Sequence, residues 1–264
     1  MDISRYYAKE NEKPLDVIPE DGGFVGAFRT IGFIGDSLSS GEFEAKNQNG
    51  DTVYLDMFEY SWGQYMARKA GFKALNFSRG GMSASEYCES FGDSIDAWNP
   101  DKKCQAYVIA LGVNDILNMG QEVGSAKNDI CDDDCEKNAK TFTGYFAKII
   151  QRMKKIQPDA FFFLMTMPKE SSDDERRKDL KVAHRKVLFD LAKHFENTYV
   201  LDFYEYAPCY DKKFKETFFL RGHMNPMGYK LTADMTCAYI DYIIRHDPEK
   251  FSKAGLIGTD FYKY

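Results

Sequence analysis

Short apolar runs alternate along the chain with longer stretches of helical periodicity. Residues 31–34, 74–77, 106–111, 161–166 and 199–202 have the length and apolar content of strands, and polar turns punctuate them. The run 106–111 is apolar without interruption, which suits a parallel strand covered on both faces. Between these runs, 61–71 reads as a helix with Ser61 at its N-cap and Gly71 at its stop. A long amphipathic helix is expected over 136–156, where Phe142, Phe146, Ile149, Ile150 and Met153 recur at helical spacing and Pro158 follows. Further helices are expected over 173–196 and from Pro226 to about residue 245, since proline suits the first helical position. Strands alternating with helices predict an α/β fold, with a central parallel sheet of about five strands and helices on both faces.

The remaining segments read as connections. Residues 1–28, with Pro14, Pro19 and Gly22-Gly23, form an irregular N-terminal arm. Residues 42–55 read as a polar loop, 118–138 as a long acidic connection, 203–219 as a loop rich in aromatics and 247–264 as a C-terminal tail. No internal repeat or low-complexity linker divides residues 1–264, so a single domain is expected.

Composition narrows the function classes. With 21 Phe and 17 Tyr, the chain can fill a sizeable core and still line a cleft for a carbohydrate or aryl group. A net charge of −6 provides no general attraction to nucleic acid or to an anionic membrane, so neither is expected as a partner. No run approaches a membrane span, and residues 1–24 hold no apolar stretch of signal-peptide length; a soluble, cytoplasmic protein is expected. There the six cysteines, at 88, 104, 131, 135, 209 and 237, are expected to be reduced and partly buried. Cys131 and Cys135 bracket three aspartates but lack a second ligand pair, so this reads as a solvated acidic loop, and neither metal nor cofactor is expected.

The chemistry gathers where strands end. The stretch 30–42 is a strand that stops at Gly35-Asp36-Ser37, and such a junction holds a hydroxyl at the carboxyl edge of a sheet. Asp and Ser also suit a helix N-cap, so the turn alone does not make a nucleophile of Ser37. Three further turns, carrying Gly81, Asn114 and His223, fall on the same edge. Together they hold the parts for acyl transfer: Ser37 to attack a carbonyl, His223 to take and return its proton. The N–H groups of Ser37 and Gly81 and the amide of Asn114 can serve as oxyanion donors. His184 and His194, inside an expected helix, read as surface or partly buried residues, and His246 as a cap on the last helix. Asp36 suits turn hydrogen bonding, 171–175 a helix start, and Arg79 and Arg221 either an anion clamp or ion pairs.

These blocks resemble the SGNH, or GDSL, hydrolase family. Gly35-Asp36-Ser37-Leu38 is similar to its first block, and Asn76 through Gly81-Met82-Ser83 to its second. Gly112-Val113-Asn114-Asp115 is similar to the third, and His223-x-Asn225-x-x-Gly228 to the last. The resemblance implies a flavodoxin-like three-layer α/β/α sandwich and a metal-free serine esterase or lipase-like acylhydrolase. It implies catalysis by Ser37 and His223 with an oxyanion hole of Ser37, Gly81 and Asn114; Gly80 is the alternative in the second block. The expected substrate is a short-chain ester, acetyl by resemblance, of a carbohydrate or small molecule. One departure stands out: the aspartate usual three residues before the histidine is Leu220 here. Either a Ser37–His223 dyad works with a backbone carbonyl holding the ring, or Glu216, Asp211 or Asp202 replaces the acid. A non-catalytic carbohydrate-binding protein that retains the fold is the alternative function.

Overall fold

The computed structural model describes residues 3–263. Among them nine strands form: β1 (Thr30–Gly35), β2 (Glu42–Lys46), β3 (Thr52–Asp56), β4 (Lys73–Asn76), β5 (Ala106–Ala110), β6 (Phe161–Met165), β7 (Thr198–Leu201), β8 (Phe219–Leu220) and β9 (His223–Met224). Five of them make a parallel sheet in the order β4-β1-β5-β6-β7. The register sets Ile31 beside Ala74 on one side and Ala106 on the other. The chain winds outward from β1 to β4, then crosses back to β5. That reversal opens a crevice at the carboxyl ends of β1 and β5, the usual ligand position in such sheets.

Alternation along each strand builds two apolar layers. Ile31, Phe33, Val108, Phe161 and Phe163 face helices Trp62–Ala70 and Pro226–His246. Ile34, Tyr107, Ile109, Phe162 and Leu164 face helices Phe142–Ile156 and Glu175–His194. The result is a three-layer α/β/α sandwich. Phe161, Phe162 and Phe163 are fully buried on alternating faces, each worth about 1.5–3 kcal/mol of transfer free energy.

Several expected boundaries move. The long helix starts at Phe142 rather than near 136, because Thr141 caps it by accepting the Gly144 N–H at 3.1 Å. Cys135–Lys137 forms a separate turn capped by Asp134. The supposed polar loop 42–55 is the antiparallel hairpin β2–β3, turned by Asn47, whose side chain accepts the N–H groups of Asn49 and Asp51. Its signal was present as Asn49-Gly50 between alternating positions. The aromatic loop 203–219 contains two short helices, Phe203–Tyr206 and Lys212–Phe218, and leads into the two-strand ribbon β8–β9. The N-terminal arm forms 3-10 turns and is clamped to the last helix through buried Arg245, which holds Glu12 and Asp241 at 2.7 Å each. Among the described residues no helix is long and apolar enough to cross a membrane.

Candidate active site

β1 ends at Gly35, and buried Asp36 accepts the Leu38 N–H at 3.1 Å, capping the one-turn helix Ser37–Ser40. Ser37 is the first residue of that turn and is half-buried. At this position its N–H has no acceptor within the helix. Burial pushes the Asp36 carboxyl up to about 7; the Leu38 N–H opposes the shift, while Asp115 and Glu42 add to it. Asp36 therefore serves as a cap, the role its place in the turn suggested.

After β4 the chain reaches Gly80 and Gly81. Gly81 has φ +73°, the left-handed region, so glycine suits it and its N–H can turn toward the cleft. Gly80 is a close approach: a side chain there would run into the Glu42 carboxylate. Residues after β5 hold this loop in place. Asn114 Nδ2 donates to the Met82 carbonyl at 3.0 Å, and its Oδ1 accepts from Asn118 at 2.9 Å. Buried Asp115 Oδ1 accepts the Ala84 N–H at 2.7 Å. Burial raises the Asp115 carboxyl to about 6 against the pull of backbone N–H groups. Asp115 thus ties the third block to the second, a function its sequence position did not reveal.

His223 sits on β9, beyond the tight turn Arg221-Gly222. Ser37, Gly80, Gly81, Asn114 and His223 line one cleft of about 610 Å³, walled by Tyr54, Tyr210 and Phe219. The Tyr54 ring meets the imidazole edge-on at 5.6 Å. Glu42 Oε1 stands 2.9 Å from His223 Nε2, and Glu44 Oε2 lies 3.8 Å from Nδ1. Desolvation raises the Glu42 carboxyl above its ordinary range; His223 lowers it and Asp56 raises it further. His223 Nδ1 is buried without a hydrogen-bond partner, so no backbone carbonyl holds the ring.

The three carboxylates considered for the missing acid are engaged elsewhere. Glu216 is exposed beside Lys212, 3.8 Å away. Asp211 caps its helix by accepting the Phe214 N–H at 2.8 Å. Asp202 is buried and takes the Arg185 Nε at 2.9 and 2.8 Å. The carboxylates beside His223 come instead from β2, within the segment read as a loop. Alternation of Glu42 and Glu44 with Phe43 and Ala45 is the signal that points to them.

The other histidines lie outside the cleft lining. His184 is fully buried rather than near the surface, because its helix packs that face on the sheet with Val187, Leu188 and Leu191. Its Nε2 meets the Leu111 carbonyl at 3.1 Å, and burial drives its pKa down to about 4. His194 pairs with Asp132 at 2.7 Å, and His246 Nδ1 meets the Tyr242 carbonyl at 2.7 Å in the last helical turn. Arg221 lines the cleft; Arg79 instead pairs with Glu86 and lies over the Phe91 ring at 4.7 Å. Cys88, Cys104, Cys135 and Cys237 are buried free thiols, Cys131 is intermediate and Cys209 exposed.

The sequence profile of the GDSL-like Lipase/Acylhydrolase family matches residues 33–231. The chain belongs to that family. It is a hydrolase acting on ester bonds. In fold, this family member is similar to a family two carbohydrate esterase from Clostridium thermocellum in complex with cellohexaose, with a TM-score of 0.55 and 17% identity over 92% of this chain and 67% of that one. It is similar to a carbohydrate esterase family 2 enzyme with a carbohydrate binding domain from Corynascus thermopiles (Myceliophthora fergusii), with a TM-score of 0.55 and 15% identity over 85% and 67%. A putative GDSL-like lipase from Parabacteroides merdae has a TM-score of 0.54 and 17% identity over 81% and 95%. At these identities the likeness concerns the fold. No curated protein matches the chain by sequence.

Proposed function

We propose that this family member is a serine esterase that removes a short acyl group, acetyl in the first place, from a carbohydrate or related small ester. The observation that carries the reading is convergence: Ser37, Gly81 and Asn114 follow β1, β4 and β5, His223 stands on β9, and all four line one cleft. His223 takes the Ser37 proton as the hydroxyl oxygen attacks the ester carbonyl. The oxyanion that forms is held by the N–H groups of Ser37 and Gly81 and by the Asn114 amide. Collapse expels the alcohol, which His223 protonates. Water, activated by the same imidazole, then releases the acid and restores Ser37.

The walls support the substrate class. Exposed Tyr54 and half-buried Phe219 line the cleft and can pack against a sugar, while buried Tyr210, stacked on Phe214 at 4.2 Å, backs that wall. Beside the cleft lies a smaller apolar chamber of about 80 Å³, which shares Asp36, Leu38, Val113 and Met167 with it. The carbohydrate esterases of similar fold accord with this reading.

The test is hydrolysis of acetylated sugars and of p-nitrophenyl esters of increasing chain length, together with labelling by a fluorophosphonate probe. Activity is expected to be highest on the shortest esters, and the probe to modify Ser37. Ser37→Ala is expected to abolish both while the fold persists. Substantial hydrolysis by Ser37→Ala removes Ser37 from the mechanism, and a preference for long chains removes the short-acyl assignment.

A further inference from the structure

We propose that Glu44 on β2 takes over the task of the aspartate missing from position 220, acting as the positioning residue for His223. The proposal rests on the Ser37–His223 reading above. A neutral imidazole must present one nitrogen to the serine and donate from the other, and a carboxylate on the donating side also stabilises the imidazolium formed during attack.

The hairpin β2–β3 is built to offer carboxylates at this spot. Phe43 packs against Tyr60 at 5.7 Å and Tyr229 at 5.6 Å, which anchors one face of β2 to the last helix. The Tyr229 hydroxyl donates to the Glu42 carbonyl at 2.5 Å and fixes the strand there. Side chains alternate, so Glu42 and Glu44 emerge on the other face, on either side of the imidazole. Glu42 faces Nε2. Nδ1 is buried, so Nε2 is the nitrogen left to receive the Ser37 proton in the proposed mechanism, although in the resting structure it is Glu42 that pairs with it. On that assignment Glu42 shares its place with the serine and is not the orienting acid.

Glu44 faces Nδ1, the nitrogen that is buried and unpartnered. Its own position is set: Oε2 accepts the Gly222 N–H at 2.9 Å, and Oε1 lies 3.9 Å from the Arg221 guanidinium. Both contacts grip the turn that delivers His223. Arg221 in that turn has φ +62°, a conformation that L-residues rarely adopt, and the grip of Glu44 helps hold it. The Glu44 side chain is 14% exposed and that of His223 17%, so their interaction is screened far less than a surface pair. A closing movement of about 1 Å brings the 3.8 Å separation to hydrogen-bond length.

Glu44→Gln separates the charge from the turn. The amide oxygen can still accept from Gly222, while the negative charge beside Nδ1 is gone. We expect kcat on p-nitrophenyl acetate to fall about 10- to 1,000-fold with KM changed less than about threefold, short of the roughly 10,000-fold seen for a fully buried triad aspartate. Leu220→Asp in the Glu44→Gln background should recover at least about tenfold of the loss, because residue 220 is the direct cross-strand neighbour of His223. A merely structural role for Glu44 would not be rescued in this way. If Glu44→Gln keeps kcat within about threefold of wild type, or if its loss is not rescued while the circular dichroism is unchanged, the proposal is overturned. It is also overturned if Glu42→Gln, and not Glu44→Gln, produces the loss that Leu220→Asp repairs. Wild type without esterase activity or Ser37 labelling instead refutes the serine-esterase reading itself.

Discussion

In the proposed mechanism Asn114 is an oxyanion donor, and Asn114→Ala tests that assignment. Two contacts hold the side-chain amide of Asn114 before any substrate arrives: donation to the Met82 carbonyl at 3.0 Å and acceptance from Asn118 at 2.9 Å. These contacts restrict its rotation, and one Nδ2 hydrogen is not used by them. Such a preorganised donor loses little on reaction, so its removal should act on the transition state. The expected fall in kcat is about 100- to 1,000-fold, or roughly 2.7–4 kcal/mol. KM should change less than about threefold, because the ground-state carbonyl gains little from the donor. The substitution also removes two internal hydrogen bonds of about 0.5–1.5 kcal/mol each, so stability should fall by about 1–3 kcal/mol. Steady-state kinetics on a p-nitrophenyl acetate series, with urea denaturation on the same samples, separates the two effects. A fall in kcat below about fivefold, or an effect carried by KM alone, refutes the oxyanion assignment and leaves Asn114 as a residue that positions substrate.

Two other perturbations probe the fold. His184 is buried with its pKa driven down to about 4, so the unfolded chain binds more protons between about pH 6.5 and 4. Relative to His184→Phe, the wild type should therefore lose up to about 3 kcal/mol as the pH falls from 7 to 4, measured by urea midpoints; a gap independent of pH refutes a neutral buried imidazole. Phe162 is fully buried and stacks on Tyr107 at 5.4 Å, so Phe162→Ala should destabilise by about 3–5 kcal/mol, and a loss under 1 kcal/mol would mean that the layer collapses onto the gap.

The chain's own pattern determined the layered architecture. Apolar runs such as 106–111 and 161–166 are buried on both faces, so burial leaves an unbroken hydrophobic signature that needs no tertiary information. The strand-end turns were legible for a related reason: glycine and small polar residues mark the places where the chain must reverse. Ser37, Gly81 and Asn114 could thus be grouped on one sheet edge from order alone; His223, expected in the turn after the fifth strand, stands instead on β9 of a separate ribbon, and the tertiary structure brings it to the same cleft. What surrounds His223 was decided by tertiary structure. Glu42 and Glu44 reach it only because Phe43 is pinned between Tyr60 and Tyr229, residues from two distant elements. Asp211, nearer in sequence, is held by its own helix, and Asp202 by Arg185. A short ribbon such as β8–β9 carries too few residues for any periodicity, so its register depends on the loop contacts that Glu44 makes with Gly222. Alternation along 42–45 marks a strand that presents two carboxylates on one face, but which residue they meet, across 178 positions, is set by packing.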